Sequence, residues 1–189
     1  MLASPFRSDC TRCAALCCLL LAFDRSELFA LDKPALVPCM HLRRHACRIH
    51  QGLSEQGFAG CAAYDCYGAG PRVVHELFGG RSWRDDASLV SPMARAFSAM
   101  RSLQELRLLL ETARQLPLDS QQSARLDELS SLLVPREGWP LASLQDFERS
   151  SLAREVADFL RSLRGRVTPA ARRRLPLFSS EHPAVRGET

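Results

Sequence analysis

The second half of the chain repeats apolar residues at the three- and four-residue spacing of an amphipathic helix. Ser91-Pro92 places a preferred N-cap residue before a proline at the first helical position, and Pro117 follows the stripe. The pattern therefore predicts a helix from residue 91 to about residue 116. Its apolar positions are Met93, Ala96, Phe97, Met100, Leu103, Leu106, Leu110 and Ala113.

Two more apolar stripes follow this first one. The second begins near Ser120 and stops at Pro135, and the third begins at Ser143 with Asp146 in the capping-box position. Three stripes joined by short loops predict a small antiparallel three-helix bundle over residues 90–165. Core packing is the ordinary function of such stripes, and a face that binds a partner protein is the alternative.

The first 85 residues have a different texture, rich in turn-forming residues such as Asp32-Lys33-Pro34 and Gly68-Ala69-Gly70-Pro71. They predict a loop-rich head with one or two helical turns around residues 42–53 and a helix near 71–78. Trp83 and Trp139 are expected to join this head to the bundle. The fold class is thus mainly α.

An apolar decamer, residues 14–23, lies early in the head. It is too short for a bilayer span, which needs roughly 20 residues, so we interpret it as a buried helix or strand. The sequence therefore predicts a cytoplasmic protein without a membrane span, and export is the alternative.

Cysteine provides the strongest chemical signal, because the chain has eight and all lie in the head. Clustered thiolates suit zinc or an iron–sulfur centre, since several can donate to one ion. We predict that all eight are metal ligands, filling two four-ligand centres or one centre with spare thiols. They are Cys10, Cys13, Cys17, Cys18, Cys39, Cys47, Cys61 and Cys66.

The spacing of these cysteines leaves several details open. Cys10-x2-Cys13 has the usual spacing of a metal-binding turn, in which two thiolates and nearby backbone N–H groups approach one ion. Cys17 and Cys18 are adjacent and should point in divergent directions, so which of them is a ligand stays open. His50 stands at ligand spacing from Cys47, although a lone histidine more often lies at the surface. Asp65 could hydrogen-bond a metal ligand without binding the metal itself, or it could bond its own backbone in a turn.

Three other uses of the cysteines are weighed against metal binding: four disulfides in an exported module, a redox-active Cys-x-x-Cys pair, and thiols that only pack. Clustered thiols in the cytosol more often bind metal than form disulfides. A redox pair would not recruit six more cysteines. Metal binding is therefore the preferred interpretation.

Charge adds little to this picture. The net charge is +4, and only Lys33 among the 25 basic residues is a lysine. Residues 166–189 combine Arg, Pro, Ser and Gly without periodicity, which predicts a basic, disordered tail. Nucleic-acid binding is not predicted, because no aromatic interleaving or known reader motif accompanies the arginines.

The cysteine pattern resembles the bacterial cysteine-cluster family of zinc- or iron-chelating domains. The matching segments are Cys10-x2-Cys13-x3-Cys17-Cys18, Pro38-Cys39, Cys47-x-Ile49-His50, Gly60-Cys61 and Cys66. That family usually opens with Cys-x2-Cys-x2-Cys-Cys, one residue shorter than here. The resemblance implies metal chelation by these thiols.

Residues 57–70 look more specifically like the N-terminal region of bacterial pentapeptide-repeat-containing proteins. Leu31-Asp32-Lys33-Pro34 and Gly79-Gly80-Arg81-Ser82-Trp83 extend this resemblance. Those longer proteins join a cysteine-rich head and a helical segment to a right-handed β-solenoid. This chain has no tandem pentads, so no solenoid is expected.

Together these observations predict a metal-binding protein with a structural or regulatory role, in which the helical bundle could bind an unknown partner protein. The chain lacks a phosphate-cradling glycine loop and a convincing nucleophile–base pair, so no catalytic residue is predicted. The alternative is an iron–sulfur redox carrier or enzyme. In it, Cys10, Cys13, Cys17 and a later cysteine hold the cluster, and Tyr64, Asp65 or His75 line a site.

Overall fold

One long helix organises the fold, and the other elements pack around it. The computed structural model describes residues 4–167. Within them the protein is mainly α-helical, with seven α-helices and one two-stranded hairpin. The helices are α1 (Leu16–Leu20), α2 (Ala59–Ala63), α3 (Ala69–Arg72), α4 (Val90–Ala113), α5 (Ser120–Leu132), α6 (Leu141–Gln145) and α7 (Ser151–Ser162). The mainly α prediction is confirmed, and no solenoid occurs in these residues.

Helix α4 matches the first predicted stripe closely. Met93, Met100 and Leu103 are fully buried on its inner face, and Phe97 is nearly so. Burying an apolar side chain of this size stabilises a fold by about 1.5–3 kcal/mol. The first stripe therefore forms part of the core, and core packing is the ordinary function of such a stripe.

Helix α5 begins where the sequence predicts. Asp119 accepts a hydrogen bond from the backbone N–H of Gln122 at 2.9 Å, and the Gln122 side chain accepts one from the Asp119 N–H at 3.2 Å. This reciprocal pair satisfies two N–H groups that a helix start leaves free. Leu126 and Leu129 then face the core.

The third predicted helix is broken into α6, a 3₁₀ turn at Phe147–Arg149, and α7. The break comes from Ser150, whose backbone is extended and whose hydroxyl accepts a hydrogen bond from the Ala153 N–H at 3.1 Å. Serine is a preferred N-cap because it satisfies this free donor. The predicted capping box at Ser143 and Asp146 is wrong, because Pro140 precedes α6 and Asp146 follows it.

The head consists of short elements. Residues 42–53 form a hairpin of β1 (Leu42–Arg43) and β2 (Ala46–Cys47) rather than helical turns, followed by a 3₁₀ turn at His50–Gly52. Arg44 takes a left-handed backbone at the hairpin turn, which ends helical geometry there. The helix expected near 71–78 is present as α3 and a π-helical turn at Val73–Leu77. The apolar decamer contains α1, with Leu16 and Leu19 buried.

Head and helical segments share one hydrophobic core, which includes Leu16 and Val73 from the head and residues from α4 to α7. Trp83 is buried in this shared core, and its indole N–H donates to the Ala14 carbonyl at 2.8 Å, a bond within the head. Trp139 instead lies within the helical part. Its ring packs edge-on to Phe147 at 5.4 Å, and its N–H bonds the Leu133 carbonyl.

Gln104 makes a second link between α4 and the head. Its side chain is fully buried, and its amide donates to the carbonyls of Pro5 at 2.7 Å and Tyr67 at 2.8 Å. A buried amide with both hydrogens bonded holds the two segments in one register.

The predicted tail lies outside the described residues from position 168 onward. Among the described residues, no helix has the length and hydropathy that a bilayer span requires.

Candidate metal centre

All eight cysteines lie in the described part of the chain, and all are free thiols. Cys13 is buried, Cys10 is exposed, and the other six are half-buried. No pair is joined as a disulfide, so the thiols are available as ligands.

Cys10 and Cys13 form the first close pair. The Cys13 thiol donates to the Cys10 carbonyl at 3.4 Å, and the Leu16 N–H donates to the Cys13 carbonyl at 3.2 Å. The interaction between the two thiols raises the pKa of Cys10 and lowers the pKa of Cys13. The backbone N–H groups of Ala15 and Leu16 lower the pKa of Cys13 further. A lowered pKa favours the thiolate form that a metal needs.

The backbone after Cys13 is strained in a way that builds this pair. Ala14 and Ala15 both have positive φ, near 50°, a region that costs free energy for any residue but glycine. The conformation turns the chain so that the Leu16 N–H donates to the Cys13 carbonyl at 3.2 Å. The Trp83 indole holds the turn by bonding the Ala14 carbonyl.

Cys66 reaches the same neighbourhood from the other end of the head. The Ser8 hydroxyl donates to the Asp65 carboxylate at 2.5 Å and lies 3.0 Å from the Cys66 sulfur. Asp65 also accepts the Tyr67 N–H at 2.7 Å. The carboxylate therefore bonds its own turn and also accepts from Ser8, whose hydroxyl lies beside the Cys66 sulfur. Its support of a metal ligand stays a prediction.

Gly70 allows this segment to approach Cys13. A Cβ atom placed on Gly70 would lie 2.6 Å from the Cys13 Cβ, closer than side chains tolerate. Only glycine fits there without a shift of the backbone.

Cys17 and Cys18 are adjacent on α1, and the expected divergence of their sulfurs stays a prediction. The neighbouring Cys18 thiol and burial raise the pKa of Cys17. The neighbouring Cys17 thiol lowers the pKa of Cys18 to about 7, against the effect of burial and with help from the Lys33 charge. Their other neighbours differ, because the charges of Cys13 and Cys10 act on Cys17.

Cys39 and Cys47 are brought to Cys18 by backbone pairing. The Cys39 N–H donates to the Cys18 carbonyl at 3.0 Å, and the Leu42 N–H donates to the Cys39 carbonyl at 2.9 Å. Leu42 stands opposite Cys47 in the hairpin. The loop and hairpin thus present both thiols toward the α1 end.

Cys61 completes this second neighbourhood. Burial raises the pKa of Cys61 to about 11, and the charges of Cys18, Cys39 and Cys47 add to the rise. Cys61 therefore lies within electrostatic range of Cys18, Cys39 and Cys47.

Lys33 is a buried cation near the thiols that sequence reasoning missed. It is only 4% exposed, and its ammonium donates to the carbonyls of Leu19 at 3.1 Å, Leu21 at 2.5 Å and Pro34 at 3.1 Å. Three donors require the charged form. Burial lowers the pKa of Lys33, and the charges of Cys39 and Cys18 oppose that change. Its status as the sole lysine was the signal that could have identified it.

One histidine of the head acts on a cysteine. The His50 side chain acts on the Cys10 thiol, where it opposes the rise in pKa. His41 packs edge-on to Phe58 and His45 bonds the Ser82 hydroxyl at 2.7 Å, so both have structural contacts instead. His75 is exposed.

Tyr64 lies close to the thiols. Its hydroxyl is buried without a hydrogen-bond partner, and burial is the main cause that raises the pKa of this phenol. Arg101 stacks over its ring at 5.5 Å.

The thiols stand as close pairs rather than as assembled sites. Between residues 4 and 167, no group of three or more His, Cys, Asp or Glu side chains is arranged to hold a metal ion. The donor chemistry nevertheless fits a thiolate-bound metal, because the thiols are free and a buried cation acts on Cys18.

Comparison with known proteins gives one relative. The chain is 38% identical over 107 residues to YybG, an uncharacterized protein of Bacillus subtilis (strain 168). The aligned region is 56% of this chain and 38% of that protein, so the chain spans less than half of the relative's length. No family model matches the chain, and neither does a solved structure.

Proposed function

We propose that this is a metal-binding protein that holds zinc or an iron–sulfur centre through its eight cysteines. One observation carries the proposal: eight free thiols, from segments as far apart as Cys10 and Cys66, are packed into one head of the fold. Thiolates are the ligands that soft metals and iron–sulfur clusters prefer. Membership of the cysteine-cluster family and a cytoplasmic location belong to this proposal.

The role proposed for the metal is structural or regulatory. The head has helices of four or five residues and strands of two, which bury little apolar surface on their own. A metal bound by cysteines from different segments of the head would supply stability that such short elements lack. The helical part, which we propose to be a three-helix bundle, would then be held by the head and could present a face to a partner protein.

Metal analysis tests this function directly. Protein purified without oxygen should carry zinc or iron at a level of at least about one ion per chain, because a site needs about four thiolates. The matched control is His75→Ala, an exposed histidine of the head that contacts no cysteine described above. The control should retain the full metal content. Protein that carries neither metal, and that takes up neither when reduced and supplied with Zn²⁺ or Fe²⁺ and sulfide, would contradict the proposal.

An iron–sulfur redox carrier or enzyme is the second candidate. The observation that favours it is the compact trio Cys10, Cys13 and Cys17, whose charges act on one another within one turn and helix start. A cluster bound there would place the unpaired Tyr64 hydroxyl nearby. Visible absorption that is lost on oxidation, together with iron and sulfide, would select this candidate over zinc.

A further inference from the structure

We propose that residues 34–40, called the apolar loop below, dock the protein on the surface of an anionic lipid bilayer. The apolar side chains of the loop enter the bilayer interface, and neighbouring arginines bind the lipid headgroups. This inference goes beyond the function proposed above and does not depend on a bound metal. It rests on the exposure of the loop, on the contacts that hold its backbone, and on the charge of the segment that carries it.

Three large side chains of the apolar loop are exposed. Leu36 is 46% exposed, Val37 is 47% exposed and Met40 is 67% exposed. Single exposed apolar residues are ordinary on a protein surface, whereas a group of them marks an interaction site. From Pro34 to Met40, no side chain is charged and none carries a hydroxyl or an amide group. The loop therefore presents a continuous apolar segment to its surroundings.

Hydrogen bonds hold the backbone of the apolar loop at both ends. The Lys33 ammonium donates to the Pro34 carbonyl at 3.1 Å, and the Cys39 N–H donates to the Cys18 carbonyl at 3.0 Å. Both prolines of the loop lack an N–H group, so they leave no donor without a partner in an apolar phase. The loop is thus fixed in a form that keeps its apolar side chains exposed.

Leu36 adopts a strained backbone conformation within the loop. Its φ is 63°, in the left-handed region that residues other than glycine, asparagine and aspartate seldom adopt. Such strain is found preferentially at ligand-binding and switch sites. Because the side chain is exposed, packing in the core does not account for a leucine in this conformation, whereas contact with an external apolar phase does.

The segment that carries the apolar loop has only basic charge. Residues 33–54 contain no Asp or Glu, and three exposed arginines follow the loop: Arg43, Arg44 and Arg48. Within residues 4–167, none of these three arginines forms an ion pair. Their charges are therefore available to an anionic surface.

The hairpin places these arginines beside the apolar loop. The Arg48 guanidinium donates to the Met40 carbonyl at 3.4 Å, next to the most exposed side chain of the loop. Arg43 stands opposite Ala46, so Arg44 lies in the hairpin turn. Apolar side chains beside basic ones match the interface of an anionic bilayer, whereas a soluble acidic polymer would satisfy only the arginines.

Sedimentation of the full chain with lipid vesicles tests this inference. Vesicles of phosphatidylcholine with about one-third phosphatidylserine should bind the protein about 100-fold more tightly than vesicles of phosphatidylcholine alone, because each of three arginines contributes about five-fold. Raising the salt concentration from about 0.1 M to about 0.5 M should weaken this binding, since exposed charges are screened.

A double variant tests the apolar side chains. Leu36→Asn with Met40→Gln should weaken binding to the anionic vesicles about ten-fold, because less apolar surface leaves water. Asparagine tolerates the left-handed backbone, so the fold should be kept. The matched control is Leu132→Gln with Val134→Thr, which changes two side chains that are 49% and 52% exposed in the helical part. The control should bind as the wild type does.

A second double variant tests the charge. Arg43→Gln with Arg44→Asn should weaken binding to the anionic vesicles about 25-fold and reduce its dependence on salt. Arg136→Gln with Arg149→Gln removes the same charge from exposed positions of the helical part, and it should bind nearly as the wild type does. Circular dichroism shows whether each variant is folded. The wild-type comparison of the two vesicle types decides the question even if a variant is not.

Three results would overturn the inference. The first is wild-type protein that binds both vesicle types equally or binds neither. The second is a folded loop or arginine variant that binds as tightly as the wild type. The third is binding to soluble polyglutamate as tight as to anionic vesicles, which would indicate an acidic protein partner instead. Each of these results leaves the metal content unchanged, so the proposed function stands or fails separately.

Discussion

At the residue scale, Lys33 shows why one position in an arginine-rich chain is a lysine. A compact ammonium can point three hydrogens at three carbonyls, whereas a planar guanidinium presents its donors in a fork. Lys33→Arg keeps the charge but should lose part of this set, lowering the free energy of unfolding by about 1–3 kcal/mol. Urea denaturation of the metal-free protein measures it.

The control for Lys33→Arg is the reverse exchange at a solvated site. Arg149 has a side chain that is 83% exposed, so Arg149→Lys should change stability by less than about 0.5 kcal/mol. A Lys33→Arg protein as stable as the wild type would show that the three carbonyl bonds do not determine the choice of residue.

Gly70 carries a second residue-scale prediction. Gly70→Ala would place a methyl group 2.6 Å from the Cys13 Cβ, and the backbone of one segment must move. We expect a loss of about 1–3 kcal/mol in stability and, if the proposed function holds, weaker Zn²⁺ binding. Gly165→Ala is the matched control, since a Cβ there meets nothing within 4 Å. Equal melting temperatures for the two variants would refute the close approach.

At the element scale, variants at the start of α7 test whether the Ser150 cap divides the third predicted helix. Ser150→Ala removes the acceptor for the Ala153 N–H and should cost about 0.5–2 kcal/mol. Ser143→Ala, at the position that the sequence pattern selected, lies exposed within α6 and should be nearly neutral. Thermal denaturation of the two variants distinguishes them. A larger loss for Ser143→Ala would mean that the stripe is one continuous helix.

At the scale of the whole molecule, the shared core predicts that head and helices unfold together. Trp83 reports on the junction and Trp139 on the helical part. In Trp83→Phe and Trp139→Phe proteins, the fluorescence of the remaining indole and the far-UV circular dichroism should follow one transition. Each protein serves as the control for the other. Separate midpoints for the two indoles would establish independently folding segments.

The limits of sequence reasoning follow the same scales. α4 and α5 could be predicted because apolar spacing acts within a few residues of the chain. The predicted cap at Ser91 is wrong, since α4 begins after Leu89 and Ser91 lies inside it, and the capping box at Asp119 was missed. The break at Ser150 was missed, because several serines nearby offer the same local cap and the pattern does not say which one the core admits.

Close thiol neighbours were harder to predict than the thiols themselves. Cys13 is followed by two alanines in left-handed conformations, which no residue preference favours. Its side chain packs against Gly70, far along the chain. Such a turn survives because tertiary contacts, including the Trp83 bond to Ala14, offset its strain.

The sequence alone therefore determined a mainly helical protein with an inventory of eight thiols and a single lysine, since periodicity and composition are local properties. Only the tertiary structure decided which thiols lie beside which, that Lys33 is buried against carbonyls near Cys18, and that Leu16 and Met93 belong to one core. The physical reason is that these relations depend on loop paths and on contacts between distant residues, and no short window of the chain encodes either.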